Sequence, residues 1–134
     1  MRGGALLCVL CALASTGGLA SAPCEGVDRG LSPDRAAQLS RRAAEQFHDP
    51  KAKALQSFVY DGWAIVHVDL GKSDSVFAFY RGDPLASAYL TVWRGAAGFD
   101  ETSQIKEWTV ENVPEIPNRL ARCFAWQLAR SRAP

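Results

Sequence analysis

The dipeptide Asp61-Gly62 constrains this chain more than any other feature of its sequence. It stands between two β-rich runs, Leu55–Tyr60 and Trp63–Leu70. A type I′ turn needs positive φ at both central positions, and Asp-Gly supplies it, so the segment predicts a tight antiparallel hairpin. A two-residue turn also sets the register. Tyr60 falls opposite Trp63, Phe58 opposite Ile65, and Gln56 opposite His67. One face then carries Gln56, Phe58, Tyr60, Trp63, Ile65, His67 and Asp69. The other carries Leu55, Ser57, Val59, Ala64, Val66, Val68 and Leu70, which are mostly small and aliphatic.

Two further strands extend the hairpin into a four-stranded meander. Ser75–Tyr80 follows Gly71-Lys72-Ser73-Asp74, and Ala86–Arg94 follows Arg81-Gly82-Asp83-Pro84. Alternation puts Ser75, Phe77 and Phe79 on one side and Val76, Ala78 and Tyr80 on the other. In the fourth strand it sets Tyr89, Thr91 and Trp93 against Ala88, Leu90 and Val92. Arg81-Gly82-Asp83 matches a cell-adhesion tripeptide, but Gly, Asp and Pro between strands are adequately explained as turn residues.

Helices are expected before and after the meander along the chain. Ser32 as N-cap, Pro33 at the first helical position and Asp34 in the first turn open a helix over about 33–48. Ala36, Leu39, Ala43 and Phe47 make its apolar stripe, and Asp49-Pro50 ends it. His48 sits where a residue meets the last carbonyls of the helix. A second helix fits 101–112, capped by Asp100 or Thr102, with Ile105, Trp108 and Thr109 on one face. The segment 120–128 is ambiguous. Leu120, Cys123, Phe124 and Gln127 fit helical spacing in part, whereas Phe124, Trp126 and Leu128 alternate as in a strand. We read it as a short helical turn and then a fifth strand. The fold class is therefore α+β, with the helices on the aliphatic face of the sheet.

Residues 1–22 carry the pattern of a secretory signal peptide. Arg2 precedes the apolar run 5–14, and small residues lead to Ala20-Ser21-Ala22. The run is shorter than the ~20 residues that a membrane-spanning helix needs. Cleavage after Ala22 would leave Pro23 first, so cleavage after Ala20 is an alternative. Pro23 before Cys24 fits a lipidation site badly. Removing residues 1–22 from the 134 leaves 112, the size of a single small domain. Lys+Arg and Asp+Glu number 15 and 14 in the whole chain. That near-neutral balance gives no electrostatic case for nucleic acid. No other segment is expected to span a membrane.

Cys8 and Cys11 leave with the signal, and Cys24 and Cys123 remain. In an exported domain, two cysteines most simply form one disulfide; two free thiols are the alternative. Two cysteines and two distant histidines lack the spacing of a zinc site. No nucleotide fingerprint, nucleophile elbow or metalloprotease motif is present, so no cofactor, metal or catalytic set is expected.

These features together suggest a small binding or inhibitory protein, secreted or periplasmic. It would engage a protein or small ligand through an aromatic sheet face bearing Tyr60, Trp63, His67, Tyr89 and Trp93. The competing view is that these aromatics are simply core. Another class is a small hydrolase using His67 and Asp69, which share one side of a strand. A third is a subunit of an envelope assembly.

Overall fold

A computed structural model describes residues 3, 22–71, 75–95 and 101–131. The signal-like segment lies outside the described residues apart from Gly3 and Ala22. So do Asp100 and most of the loop expected between the second and third strands. The chain runs α1 (Pro33–Phe47), β1 (Lys53–Tyr60), β2 (Trp63–Asp69), β3 (Val76–Arg81), β4 (Thr91–Trp93), α2 (Thr102–Asn112) and α3 (Asn118–Ser131). The fold is α+β, with one antiparallel sheet in the order β1-β2-β3-β4.

Local chemistry accounts for the first half of the fold. Ser32 caps α1, its side chain accepting from the Arg35 N–H at 3.1 Å. The helix stops at His48, which takes the left-handed region at φ 52° and donates its N–H to the Ala44 carbonyl. Asp61 (φ 49°) and Gly62 (φ 78°) make the turn that Asp-Gly favours. The resulting register pairs Tyr60 with Trp63, Phe58 with Ile65 and Gln56 with His67.

A register shift between Ala54 and Gln56 then alters the start of β1. Leu55 is the extra residue and is exposed, while Ala54 takes the buried place opposite Val68. A bulge inserts one residue and so flips the faces upstream of it. Alternation alone therefore misplaced Leu55.

Both faces of the sheet are covered. On the aliphatic face, Leu39 and Ala43 of α1 pack on Ala54, Ala64, Val66, Val68, Val76 and Ala78. On the aromatic face, α2 and α3 bury Phe58, Ile65, Phe77, Phe79 and Trp93 beneath Ile105, Leu120, Phe124 and Leu128. The expectation that helices cover only the aliphatic face is corrected. The reason is α3, which occupies 118–131 in place of a fifth strand. Its buried residues, Leu120, Ala121, Cys123, Phe124, Ala125 and Leu128, form a helical stripe that the two alanines complete. Trp126 lies off that stripe, with the Arg130 guanidinium 4.4 Å above its ring.

Cys24 and Cys123 are joined, a closure across 99 positions. The bond ties the segment before α1 to α3. Val27 there joins the aromatic core, and Asp28 exchanges two 2.8 Å backbone bonds with Val59 on the free edge of β1. Among the described residues, no helix is long and apolar enough to cross a membrane.

Tyr80 gives the aliphatic side a pH signature. Its hydroxyl donates to Gln46 Oε1 at 2.5 Å, anchoring α1 to β3. Burial pushes its phenol up to about 12, against a small opposing pull from Arg42 and a small addition from Tyr89. In the unfolded chain a tyrosine ionises near pH ~10. Between those values the unfolded state releases a proton that the folded state keeps, so stability falls as pH rises from about 10 to about 12. Urea midpoints at pH 9 and pH 11.5 should show this fall, and Tyr80→Phe should reduce it. An equal fall in the variant would assign the alkaline loss to other groups.

Candidate functional site

The five aromatic-face candidates do not form one surface. Trp63 is 7% exposed and Trp93 is 2% exposed, both within the core beneath α2 and α3. Tyr60 packs partly buried against the same cluster. Tyr89 precedes β4 and falls on the opposite side of the sheet, where it stacks on Phe47 of α1 at 5.0 Å. The strand expected from Ala86 begins only at Thr91, because residues 84–87 turn back. Alternation therefore does not reach Tyr89.

His67 and Trp93 do come together. The register sets His67 beside Phe77 and Phe77 beside Trp93 across three adjacent strands. At this end of the aromatic face the sheet opens into a pocket of about 340 Å³. Among the described residues it is lined by His67, Ser75, Phe77, Trp93, Arg94, Gly95, Leu128 and Ser131. Tyr60 and Trp63 lie at the hairpin end, about 13 Å away along β2 at ~3.3 Å per residue.

His67 is half-buried and stacked flat on Phe77, with ring centroids 4.1 Å apart. Its Nε2 lies 2.9 Å from Ser75 Oγ. Its Nδ1 is buried and meets no hydrogen-bond partner among the described residues. A proton on Nδ1 would therefore bury an N–H without an acceptor, which is the costlier arrangement. The favoured tautomer carries its proton on Nε2 and donates it to Ser75. That leaves the Ser75 hydroxyl proton available to another acceptor. Burial also pushes the His67 imidazolium below its ordinary range, against a smaller opposing effect of the Asp69 carboxylate. The ring is thus held neutral at physiological pH.

The other polar groups differ in what they can offer. Ser131 Oγ donates to the Leu128 carbonyl at 2.8 Å, so its proton is committed within α3. Arg94 is exposed and makes no ion pair among the described residues. Asp69 shares a side of β2 with His67 but is exposed and does not line the pocket. Among the described residues, no group of three or more His, Cys, Asp or Glu side chains is placed to hold a metal ion.

Six of the described lining residues were not singled out from the sequence as site residues: Ser75, Phe77, Arg94, Gly95, Leu128 and Ser131. Ser75 was within reach, because the antiparallel register makes it a diagonal neighbour of His67 on the same face. Leu128 and Ser131 come from α3, and nothing local to the strands points to them.

Arg81-Gly82-Asp83 is engaged within the molecule. Arg81 pairs with Glu115 and lies over the Trp63 ring at 5.5 Å. Asp83 accepts from Leu85 N at 2.9 Å and pairs with Arg35 at 2.9 Å. These contacts, the Leu85 N–H first, hold its carboxyl below the usual carboxylate range. The tripeptide thus fastens the β3–β4 connection to α1 and to the α2–α3 turn.

Compared with family models, curated proteins and solved structures, the chain has no match.

Proposed function

We propose that this chain is a small exported binding protein, secreted or periplasmic, that takes a small ligand in the His67 pocket. The signal-like start and the Cys24–Cys123 disulfide support export. One observation carries the binding reading. The aromatic face is sealed by α2 and α3 along most of its length, yet at His67 an apolar floor meets polar groups with unused hydrogen-bonding capacity. The partner surface is thus narrowed from the whole face to one end of it.

A fragment screen followed by ¹H–¹⁵N spectra of the oxidised protein tests this. Hits should shift the amides of Ser75, Phe77, Arg94 and Leu128 together. Hits that collect elsewhere, such as the exposed Leu55 and Val59 on β1, would overturn it.

The hydrolase reading is favoured by one contact, the 2.9 Å between His67 Nε2 and Ser75 Oγ. It sets a hydroxyl beside a base. General-base catalysis, however, needs the Nδ1–H tautomer, held by a third group that accepts from it. Among the described residues no such group meets Nδ1, and Asp69 does not. A fluorophosphonate probe should therefore leave Ser75 unlabelled. A covalent adduct on Ser75 in the native protein, absent after denaturation, would favour the hydrolase instead.

A further inference from the structure

We infer that the ligand of the His67 pocket is a small monocarboxylate with an apolar body, its carboxylate on Arg94 and the Ser75 hydroxyl. This rests on the reading of the pocket as a binding site. Charge argues first. Arg94 is the only permanently charged residue among the described lining, and no carboxylate stands beside it there. With the imidazole of His67 neutral, the described lining presents one positive charge. A cationic ligand would meet it unopposed, and a multiply charged anion would find one partner only.

Hydrogen-bonding capacity argues second. The proton of Ser131 is committed to Leu128, whereas with the favoured His67 tautomer Ser75 receives a hydrogen bond and keeps its own to donate. The guanidinium adds a planar fork of donors suited to two carboxylate oxygens. The free polar complement is therefore dominated by donors, and a carboxylate is an acceptor only.

Size and floor argue third. About 340 Å³ is at the small end of ligand pockets, enough for one ring or a short chain. Phe77, Trp93 and Leu128, each no more than 8% exposed, supply a narrow apolar floor for that body.

Benzoate, neutral benzamide and cationic benzamidine are matched probes of one size. Each is titrated into the oxidised protein while the amides of Ser75, Phe77, Arg94 and Leu128 are followed by ¹H–¹⁵N spectra. Benzoate should shift these amides at lower concentration than benzamide, and benzamidine should not shift them. Raising the salt should weaken benzoate. Arg94→Gln should weaken it at least about tenfold, the effect of losing a charge-assisted pair. Arg94→Lys should fall between, keeping the charge without the fork. Arg94 is exposed, so these variants should retain the fold, which the unchanged remainder of the spectrum verifies.

Equal binding of benzoate and benzamide, or benzoate binding indifferent to Arg94→Gln, would overturn the carboxylate assignment. Neutral screen hits that shift the same four amides would show that the pocket itself still binds. If neither the screen nor benzoate reaches those amides, the assignment and the binding site fall together.

Discussion

Reduction of Cys24–Cys123 is expected to lower the unfolding free energy by about 4–5 kcal/mol, the chain-entropy value for a loop near 100 residues. A small domain is stable by only about 5–15 kcal/mol, so the loss is a large share of the total. The structure shows why the native state is well placed to keep the bond. Cys123 sits fully buried in α3, and Cys24 belongs to a segment fastened independently. Arg119 Nη1 donates to the Glu25 carbonyl at 2.9 Å, Val27 joins the core, and Asp28 pairs with Val59. Cutting the bond should first loosen residues 24–28 and expose the β1 edge that Asp28 partly covers. Urea unfolding of the oxidised protein and of Cys24→Ala/Cys123→Ala measures the effect. A difference below about 1 kcal/mol would mean that the denatured chain is already compact, so the closure removes little entropy from it.

Phe124→Ala should cost a comparable amount, about 3–5 kcal/mol, the range for truncating a buried phenylalanine. Phe124 is 0% exposed and is the side chain through which α3 grips the sheet. Its ring meets Phe77 at 5.0 Å and Phe79 at 5.1 Å, both edge-on, and Trp93 at 6.3 Å. Removing it leaves three aromatics facing a void that helix and sheet cannot both close, because α3 is held at Cys123. Leu90→Ala is the control: at 53% exposure it should change stability by no more than about 0.5 kcal/mol. If Phe124→Ala proves as mild as Leu90→Ala, the aromatic face is not the sealed core described above. The same logic applies to Trp93, so a loss of binding on its truncation would report unfolding before it reported a lost contact.

Much of the fold was legible because its causes are local. Ser32-Pro33-Asp34 opens α1 and Asp61-Gly62 turns β1 into β2, each through the conformations available to a few adjacent residues. The alternation of β2 and β3 also survives intact, since both strands are interior to the sheet. What misled was a pattern with two meanings. Phe124, Trp126 and Leu128 alternate as a strand does, while Leu120, Ala121, Phe124, Ala125 and Leu128 recur as a helix does. The decisive residues were alanines, whose small size makes them silent in a hydrophobic pattern although they let a helix approach the sheet closely. Of the site, His67 and Trp93 were identified as candidates. Ser75 and Phe77 followed from the register without being drawn out, and Arg94, Gly95, Leu128 and Ser131 were not identified.

The sequence by itself determined the α+β class, the meander and the hairpin register, since each follows from turn chemistry and side-chain period. It made the Cys24–Cys123 pairing the simplest use of its two remaining cysteines. Only the tertiary structure decided that the aromatic face is core. An apolar strand face reads the same whether it meets solvent, a partner or its own chain, and the helices that cover it come later in the chain, at 102–112 and 118–131. It also decided where the covering stops: a pocket is the gap that packed elements leave between them, and no local pattern in the chain encodes a gap.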